Sequence, residues 1–520
     1  MDSSDSARDL AADGAAPTRI GELVTRAAAR RPDHQAIVDR ATDSVSTWAE
    51  LDAAGAAEAF RLRAAGVGPG DRVAVRLPDG APFCVAVLGA LRAGAIAVPI
   101  GPTAVERELR NVFDDCAPRV VVADDPDPAV AALADPGRTV LGPPALDGAA
   151  EPVPDRGDGE DIALLVYTSG TTGRPRGVCL SHRAVLANRA QVAALRPAPV
   201  TSVDRVLLAL PLFHVYGLAA GFLQVCWAGA TVVLAGTADP ERTVEVIERE
   251  RVSGVAGVPS TYRGLLDLPA ERLRAAFGGV RLCTSGGAPL PAGWLADFRE
   301  ITGLEVFDGY GLSEGGPVLT TNPLGGRAKA GSVGRALPGV ELRLVDAQGR
   351  PLDTGPDPDD EDGTSDPGRD TGLVAVRGPN LFSGYWPDRH GGPDADGWFR
   401  TPDLGYLDAD GDLHLVDRSS DLVIVNGFNV YPREVEEVIA ELPAVAEAAV
   451  VGVPDDHSGG AVKAVVVVAE GATLSEDEVR AHCATRLARF KVPSVIAFVD
   501  ALPRTPTGKL ARRRLATGQP

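Results

Sequence analysis

Apolar and polar positions follow two periods along the chain, and each period predicts one kind of element. Helical spacing marks Trp48 to Ala65 and Pro82 to Ala93, whereas Arg72 to Arg76 has the pattern of a strand. Short apolar runs predict further buried strands at 120–123, 162–166, 206–210, 230–234 and 280–284. Strands that alternate with helices favour an α/β fold of layered parallel sheets, in which the loops after the strands bind ligands.

Two stretches depart from this alternation. The longest apolar stretch, Phe83 to Ile100, is interrupted by Arg92 and contains glycine and proline. It is too broken to span a bilayer, so it predicts a core helix followed by a strand and no integral membrane segment. The opposite composition occurs at 353–371, where eight acidic residues stand against Arg369 alone. Such a segment cannot bury enough apolar surface to fold, and it predicts an acidic loop insertion.

Composition limits the possible partners. The chain has 520 residues and 45% hydrophobic content, which predicts large cores and more than one domain. A formal net charge of −20 argues against a nucleic-acid or anionic-membrane partner, so an anionic ligand would depend on local arginines. Six separated cysteines without zinc-ligand spacing predict reduced thiols and a cytoplasmic protein. Residues 1–18 lack a signal-peptide pattern and are predicted to be disordered.

A loop rich in glycine, hydroxyl and arginine residues follows the predicted strand at 162–166. It reads Tyr167-Thr168-Ser169-Gly170-Thr171-Thr172-Gly173-Arg174-Pro175-Arg176-Gly177-Val178. Glycine lets backbone N–H groups turn toward an anion, hydroxyls add donors, and arginine provides a forked cation. No Gly-Lys-Ser/Thr closes the loop, so it does not predict a Walker-type site. The composition favours a phosphate-binding loop, with a flexible surface loop as the alternative.

This loop resembles the signature motif of the acyl-adenylating superfamily, which includes acyl-CoA synthetases, luciferases and the adenylation domains of nonribosomal peptide synthetases. The resemblance runs from about Arg19 to about Leu515, because further motifs follow in the family's order. It implies a large N-terminal domain of layered α/β subdomains with a small β-barrel-like part, and a small mobile α+β C-terminal domain. It also implies that Thr168 to Gly173 and Arg176 bind the β- and γ-phosphates of ATP.

Arg176 stands where the family usually has lysine. Only four of the 51 basic residues are lysine, so arginine is the default cation of this chain, and its guanidinium suits a phosphate. Lys509 is one of the four, in Pro503-Arg504-Thr505-Pro506-Thr507-Gly508-Lys509-Leu510, which resembles the family's catalytic-lysine motif. The alternative for Lys509 is an exposed lysine in a C-terminal tail.

Two further motifs resemble the family's nucleotide site. The first, Asp308-Gly309-Tyr310-Gly311-Leu312-Ser313-Glu314, resembles the adenine- and metal-binding motif. The resemblance implies that Tyr310 stacks on adenine, that Ser313 meets the α-phosphate, and that Glu314 and Thr168 hold Mg²⁺, a cation that prefers oxygen ligands. The second, Ser285-Gly286-Gly287-Ala288-Pro289, would bring backbone close to the nucleotide.

The ribose contact and the domain boundary are predicted from the same resemblance. Asp403 would accept both ribose hydroxyls with Arg418 beside it, although Pro402 replaces the usual glycine and lacks an N–H. The boundary falls between 19–416 and 417–520, with Asp417 as the hinge. Asn426 and Gly427 would form a lip of the CoA tunnel.

One further motif concerns the acid substrate. It reads Pro211-Leu212-Phe213-His214-Val215-Tyr216-Gly217. A lone histidine after an apolar strand is usually a packed core residue, but the family's matching residue lines the carboxylate site. His214 is therefore predicted to be catalytic together with Arg176 and Lys509. No aspartate that could pair with an amino acid's amine occurs between Phe213 and Tyr216. The small residues at 217, 219, 220 and 221 are interpreted as room for an apolar chain.

The resemblance implies a two-step ligase that uses ATP, Mg²⁺ and CoA. The pattern looks most like that of fatty-acyl-CoA synthetases, so the apolar acid is predicted to be a fatty acid. The acid and ATP would form an acyl-adenylate and pyrophosphate, and CoA would then displace AMP. Aryl acids would fit similar walls. One alternative is a stand-alone adenylating enzyme that loads an acyl carrier protein. Another is a non-catalytic acyl or nucleotide sensor, which predicts the loss of positions such as Lys509, Glu314 and Asp403.

Overall fold

The computed structural model describes residues 16–124, 127–147, 158–168, 175–236, 239–352, 371–418, 423–425, 428–455, 461–487, 489–504 and 510–517. These residues divide into two compact units. The first lies within Met1–Glu341 and Val376–Phe399, and the second within Leu342–Ala375 and Arg400–Pro520. The predicted boundary at Asp417 differs from this division and stays a prediction.

The strands of the first unit lie in the order expected for alternating α/β layers. They are β1 (Gln35–Asp39), β2 (Ser44–Thr47), β3 (Arg72–Arg76), β4 (Ile96–Pro99), β5 (Val120–Ala123), β6 (Thr139–Leu141), β7 (Ile162–Thr168), β8 (Arg176–Ser181), β9 (Arg205–Leu208), β10 (Thr231–Leu234), β11 (Gly254–Gly257), β12 (Leu282–Gly286), β13 (Val306–Gly311), β14 (Val318–Thr321) and β15 (Arg335–Ala336).

The helices of the first unit fall between these strands. They are α1 (Glu22–Arg30), α2 (Trp48–Ala64), α3 (Ala81–Ala93), α4 (Glu106–Cys116), α5 (Pro128–Ala131), α6 (His182–Ala193), α7 (Gln224–Ala228), α8 (Pro240–Arg249), α9 (Pro259–Leu266), α10 (Ala270–Phe277) and α11 (Ala292–Thr302). A π-helix spans Tyr216–Leu223, and a 3₁₀ turn spans Ser313–Gly315.

Two sheets organise this unit. The nine-stranded sheet has the order β15-β14-β13-β12-β11-β9-β10-β1-β2, and the six-stranded sheet has the order β6-β5-β3-β4-β7-β8. The central strands of both sheets pair in parallel, whereas β2, β8, β14 and β15 are antiparallel to their neighbours. The predicted α/β class with parallel sheets is therefore confirmed.

Local sequence explains where the helices begin and what they bury. Helix α2 starts at a capping box: the Glu50 N–H donates to Thr47 Oγ1 at 3.2 Å, and the Thr47 N–H donates to Glu50 Oε2 at 2.7 Å. Helix α3 is buried around its circumference, including Arg92, which is 3% exposed. Arg92 pairs with the Asp52 carboxylate and donates to the Asp52 main-chain oxygen at 2.6 Å. The predicted core helix and strand across Phe83 to Ile100 are confirmed as α3 and β4.

Strand β9 ends at Leu208, two residues before its predicted end, and β10 begins one residue later than predicted. Two further differences have a local cause. Strand β12 begins two residues after the predicted start at Val280, because the Val280 N–H closes the turn after α10 by donating to Phe277 O at 3.0 Å. The hairpin of β1 and β2 was not predicted, since Ser44–Thr47 is mostly polar and lacks the apolar run of a buried strand.

The remaining elements lie wholly or mainly in the second unit. They are β16 (Glu341–Val345), β17 (Gly372–Arg377), β18 (Trp398–Leu407), β19 (Leu413–Arg418), β20 (Val423–Val425), β21 (Phe428–Val430), β22 (Val445–Val453), β23 (Ala461–Val468), β24 (Val495–Phe498), α12 (Pro432–Ala440), α13 (Glu476–Ala484), α14 (Arg512–Thr517) and a 3₁₀ turn at Arg489–Lys491.

These strands form a four-stranded sheet β16-β17-β18-β19, a β20-β21 hairpin and a three-stranded sheet β22-β23-β24. A small β-barrel-like part was expected in this unit. The structure has a four-stranded sheet there, and its strands follow one another in linear order. Buried residues of α12 and β22, among them Val435, Ile439 and Val450, share one apolar core. Of the predicted acidic loop at 353–371, only Thr371 lies within the described residues. Among the described residues, no helix combines the length and apolarity needed to cross a membrane.

Candidate active site

Four adjacent strands of the nine-stranded sheet end at one edge. Strands β9, β11, β12 and β13 are neighbours and run in parallel, so the segments that follow them meet. Register alignment places Gly257 beside Ser285, and Gly286 beside Gly309. Three motifs that lie far apart in the sequence, at 211–217, 285–289 and 308–314, therefore lie at or after the ends of β9, β12 and β13, on one edge of the sheet.

His214 lies in the turn between β9 and the π-helix. Its Nδ1 accepts a hydrogen bond from the Tyr216 N–H at 3.2 Å, which fixes the imidazole against its own turn. The Tyr216 ring lies so close to Gly286 that a Cβ at this glycine would stand 3.3 Å from ring carbons. Burial raises the pKa of the Tyr216 phenol, which keeps it neutral. The structure thus brings the His214 turn and the Gly286 loop together.

Two of the small residues after His214 serve packing within the protein. A Cβ at Gly217 would lie 2.2 Å from the Pro211 carbonyl oxygen, and one at Gly221 would lie 3.0 Å from Leu208 methyl groups. Ala219 is fully buried, and only Ala220 of this group is partly exposed. The interpretation of these residues as room for an acyl chain is therefore wrong for both glycines, which make close backbone approach possible.

The Asp308 to Glu314 motif forms the end of β13 and the 3₁₀ turn after it. Tyr310 is 8% exposed, and the Asp308 carboxylate accepts from the Gly309 N–H at 3.0 Å. At Gly311, a Cβ would stand 1.8 Å from the Pro317 carbonyl oxygen, so only glycine fits. Ser313 and Glu314 are both buried in the turn. On the neighbouring strand end, Gly287 and Ala288 are exposed, and Gly287 has φ +82°.

The predicted phosphate loop closes the hairpin of β7 and β8. Thr168 pairs with Arg176 at the open end of this hairpin. The loop residues Ser169, Gly170, Thr171, Thr172 and Gly173 lie outside the described residues. Thr168 and Arg176 are thus neighbours at the base of the loop.

Arg176, Tyr385 and Glu314 form one contact group. The Arg176 guanidinium lies over the Tyr385 ring, 4.2 Å from its centroid. The Tyr385 hydroxyl donates to Glu314 Oε1 at 2.7 Å. Tyr385 is 6% exposed, and burial together with the adjacent Glu314 carboxylate raises the pKa of its phenol, so the hydroxyl remains a donor. The structure therefore connects the base of the phosphate loop to the predicted metal ligand.

Several polar groups here fit an anionic ligand and a hard cation. Arg176 Nε is buried, and neither it nor the buried Ser285 Oγ has a hydrogen-bond partner among the described residues. Unpartnered buried donors also occur elsewhere in the described residues, Trp48 Nε1 among them, so these two atoms are compatible with a ligand but do not by themselves define a site. Within the described part of the chain, Tyr385 is the side chain that hydrogen-bonds the Glu314 carboxylate, which leaves Oε2 available to a cation. The donor set therefore fits a nucleotide phosphate with Mg²⁺.

Other predicted site residues lie in the second unit or outside the description. Asp403 is 7% exposed on β18, its N–H donates to Thr401 Oγ1 at 3.2 Å, and it pairs with Arg418 across the β18-β19 ladder. Asp417 pairs with Leu404 in the same ladder. Lys509, Asn426 and Gly427 lie outside the described residues, so their predicted roles stay predictions.

Sequence reasoning missed Tyr385. The residue follows Gly384 in a loop after β17, and its antiparallel bridge to Val178 carries it to the phosphate hairpin. The signal that could have indicated it is the Gly384-Tyr385-Trp386 triplet, in which a glycine precedes two aromatic residues in a non-helical segment.

Together, the parallel α/β sheets, the hairpin loop with its arginine and the buried carboxylate define a nucleotide-binding α/β enzyme. The family model described as AMP-binding enzyme matches residues 24–386, and the model described as AMP-binding enzyme C-terminal domain matches residues 434–509. The chain belongs to the AMP-binding enzyme family, and it is an adenylate-forming ligase of the acyl-CoA synthetase type.

Similar proteins extend over nearly the whole chain. A feruloyl-CoA synthase from an Amycolatopsis species is 37% identical over 504 residues, covering 95% of this chain and 97% of that protein. A long-chain-fatty-acid–CoA ligase from Bacillus subtilis is 32% identical over 549 residues, covering 95% and 94%. The crystal structure of ATP-bound MatB from Rhodopseudomonas palustris matches with a TM-score of 0.86 at 35% identity, covering 96% of this chain and 98% of that one.

Proposed function

We propose that this enzyme activates an apolar carboxylic acid with Mg·ATP and transfers the acyl group to CoA. In the first step a carboxylate oxygen attacks the α-phosphorus, which gives acyl-adenylate and pyrophosphate. In the second step the CoA thiolate attacks the acyl carbon, and AMP leaves. The observation that carries this proposal is the Arg176, Tyr385 and Glu314 group, which joins a buried orphaned donor to a buried carboxylate beside the loop hairpin.

The proposed roles follow the chemistry of each group. Arg176 neutralises the β- and γ-phosphates, and its Nε–H gains an acceptor when they bind. Glu314, with Thr168, holds Mg²⁺, which supplies charge neutralisation at the phosphates when bound. Catalysis in this step is largely positioning and charge stabilisation, so no side-chain nucleophile is required.

The remaining nucleotide contacts are proposed from the motifs. Tyr310 stacks on adenine within Asp308–Gly311, the 286–288 loop presents its backbone, and Ser313 meets the α-phosphate. Asp403 binds the ribose hydroxyls beside Arg418.

The second step is proposed to need a domain movement. Lys509 approaches the reacting carboxylate during adenylation, and rotation about Asp417 then brings Asn426 and Gly427 to CoA. The variant Lys509→Ala tests this proposal. We expect it to lose most acid-dependent pyrophosphate exchange, whereas transfer of the acyl group from supplied acyl-adenylate to CoA should stay largely intact. Equal loss in both half-reactions would refute this division of labour.

The substrate is proposed to be a fatty acid, with an aryl acid as the second candidate. The ligase from Bacillus subtilis is named for long-chain fatty acids, which supports the first candidate. The synthase from Amycolatopsis is named for feruloyl-CoA and is 37% identical, which supports the second candidate. His214, at the strand-end edge beside the Gly286 loop, would face the carboxylate of either acid.

A pyrophosphate-release assay over a panel of carboxylic acids tests the proposal. The panel should hold straight-chain acids of increasing length and substituted cinnamic acids, each with CoA and, separately, with an acyl carrier protein as acceptor. We expect release that requires both acid and Mg²⁺ and thioester formation with CoA. Both named relatives are CoA enzymes, which favours CoA over the carrier protein. Absence of acid-dependent pyrophosphate release with every acid would contradict the proposal.

A further inference from the structure

One short segment, Phe382–Trp386, is held on the phosphate hairpin by main-chain hydrogen bonds. The Cys179 N–H donates to Gly384 O at 3.1 Å, and the Trp386 N–H donates to Gly177 O at 2.8 Å. Both acceptor–donor pairs involve β8, the strand that begins with Arg176. The segment therefore behaves as an added edge beside this strand, and its side chains have fixed positions relative to Arg176.

The same segment also holds the turn that carries Glu314. The Phe382 N–H donates to the Glu314 main-chain oxygen at 2.9 Å, and the Tyr385 hydroxyl donates to the Glu314 side chain at 2.7 Å. Glu314 is thus fixed at its backbone and at its carboxylate by residues three positions apart. The Tyr385 ring meanwhile supports the Arg176 guanidinium at 4.2 Å.

The direction of the Tyr385 ring is set by its surroundings. Gly384 has φ +106°, and a Cβ there would lie 2.0 Å from the Arg389 carbonyl oxygen, so this backbone conformation requires glycine. The Phe382 ring packs edge-on against the Tyr385 ring with centroids 5.0 Å apart. The His390 ring lies tilted to the Tyr385 ring with centroids 6.3 Å apart, and within these surroundings Tyr385 contacts Arg176 and Glu314.

We propose that Tyr385 is a positioning residue that orients Arg176 and Glu314 as one unit toward Mg·ATP. The inference rests on the proposed function, because it assigns the arginine to phosphate and the carboxylate to the metal. The ring holds the plane of the guanidinium, and the hydroxyl holds Oε1, so that Oε2 would be left to bind a cation. It also gives a reason for arginine at 176, since a planar guanidinium stacks on an aromatic face better than an ammonium does.

The contacts of Tyr385 with Arg176 and with Glu314 can be tested separately by calorimetry. Equilibrium binding of ATP is measured first in EDTA and then over a range of Mg²⁺ concentrations. Tyr385→Phe keeps the ring and removes the hydroxyl. We expect its ATP affinity in EDTA to stay within about twofold of the parent, while the Mg²⁺ concentration for half-maximal enhancement rises about fivefold to tenfold. Tyr385→Leu removes both contacts, and we expect it also to weaken ATP binding in EDTA by about fivefold.

Tyr262→Phe is the matched control. Its hydroxyl is also buried and donates to Thr284 O at 2.8 Å, in the apolar core of the nine-stranded sheet. We expect Tyr262→Phe to leave the Mg²⁺ dependence of ATP binding unchanged, although it also removes a buried hydrogen bond. If the leucine variant fails to fold, the phenylalanine variant still decides the question, because it preserves the ring volume.

Parent-like Mg²⁺ dependence in Tyr385→Phe would overturn the inference, as would an equal change in Tyr262→Phe. Failure of the proposed function looks different. Arg176→Ala and Glu314→Gln would then leave ATP binding unaffected in EDTA and in Mg²⁺ respectively. If those two variants weaken binding and Tyr385→Phe does not, the proposed function stands and only the positioning role falls.

Discussion

Two regions of the first unit use their small and polar groups in opposite ways. In the π-helix segment, residues 208–223, the chain fills its own space: Gly217 meets the Pro211 carbonyl, and Gly221 meets Leu208. In the phosphate corner, formed by Thr168, Arg176, Glu314 and Tyr385, a buried guanidinium nitrogen has no acceptor among the described residues. Contacts closed within the protein indicate a structural role, whereas an unpartnered guanidinium N–H that lies beside a buried carboxylate fits an anionic ligand with its cation.

The largest expected effect is a loss of stability caused by a substitution in the π-helix segment. Gly217→Ala places a methyl group against a main-chain oxygen that cannot move aside, so we expect a loss of at least about 3 kcal/mol in the free energy of unfolding. Chemical denaturation at equilibrium measures this loss. Gly293→Ala is the control, because its Cβ would meet nothing within 4 Å in α11, and there we expect a slight stabilisation.

If Gly217→Ala were as stable as the parent and instead changed which acids react, the segment would be a substrate wall. The original interpretation of its glycines as room for an acyl chain would then return.

The far end of strand β8 offers a pH test of a closed contact. His182 is 3% exposed, and its Nδ1 accepts from the Ile20 N–H at 3.2 Å. Burial lowers the pKa of this imidazole from 6.5 to about 4. Between these values the unfolded chain binds a proton that the folded chain does not, so stability falls as the pH drops from about 6.5 to about 4.

The expected contribution of His182 over that window is about 3 kcal/mol. The measurement is the difference in unfolding free energy between the parent and His182→Asn at pH 7 and at pH 4, since asparagine can accept the same hydrogen bond without titrating. We expect the parent to lose stability relative to the variant on acidification. An unchanged difference would show that His182 is solvated in the folded protein.

Substitution of Arg176 tests the role of the phosphate corner in ligand binding. Arg176→Ala should lower kcat/KM for ATP about a hundredfold, or about 2.7 kcal/mol, because it removes the cation at the phosphates. The unfolding free energy should change by less than about 1 kcal/mol, since the lost contact is a single cation–π interaction of a half-buried arginine. A stability loss without a change in ATP kinetics would make Arg176 a structural residue.

The smallest expected effect is that of Arg176→Lys. Lysine is the usual residue at this position in the family, and it keeps the positive charge. It loses the planar stacking on Tyr385 and the Nε–H donor. We expect kcat/KM for ATP to fall by less than about tenfold, or roughly 1 kcal/mol. Steady-state kinetics with varied ATP measures this, and a loss equal to that of alanine would mean that stacking contributes more than charge.

Periodicity predicted the parts of the fold that depend on local pattern. Strand β5 has the predicted bounds, and α3 follows the apolar run despite Arg92, because that side chain finds Asp52 within the core. The missed strand β2 pairs with β1, which in turn pairs with β10, and the mostly polar sequence of Ser44–Thr47 gives no local sign of this pairing. The start of β12 was displaced because Val280 is used in a turn.

The candidate site was predictable where a motif is contiguous. Thr168, Arg176 and Glu314 were found from their motifs, and the structure brings Arg176 and Glu314 to one aromatic ring. Tyr385 was missed because its contacts join residues more than 70 positions away, through a main-chain bridge to β8. The packing role of Gly217 was missed for the same reason: composition shows a small residue but not the carbonyl that it approaches.

In the proposed first step, a carboxylate oxygen of the acid substrate attacks the α-phosphorus of ATP. A complete reaction with an acid labelled with ¹⁸O in both carboxylate oxygens, followed by mass spectrometry of the nucleotide, tests it most directly. Attack by the carboxylate places one labelled oxygen on phosphorus, and later cleavage of the acyl carbon–oxygen bond by the thiolate leaves that oxygen on AMP. We expect AMP that carries one ¹⁸O atom, with pyrophosphate as the other product. Unlabelled AMP, or the formation of ADP, would contradict it.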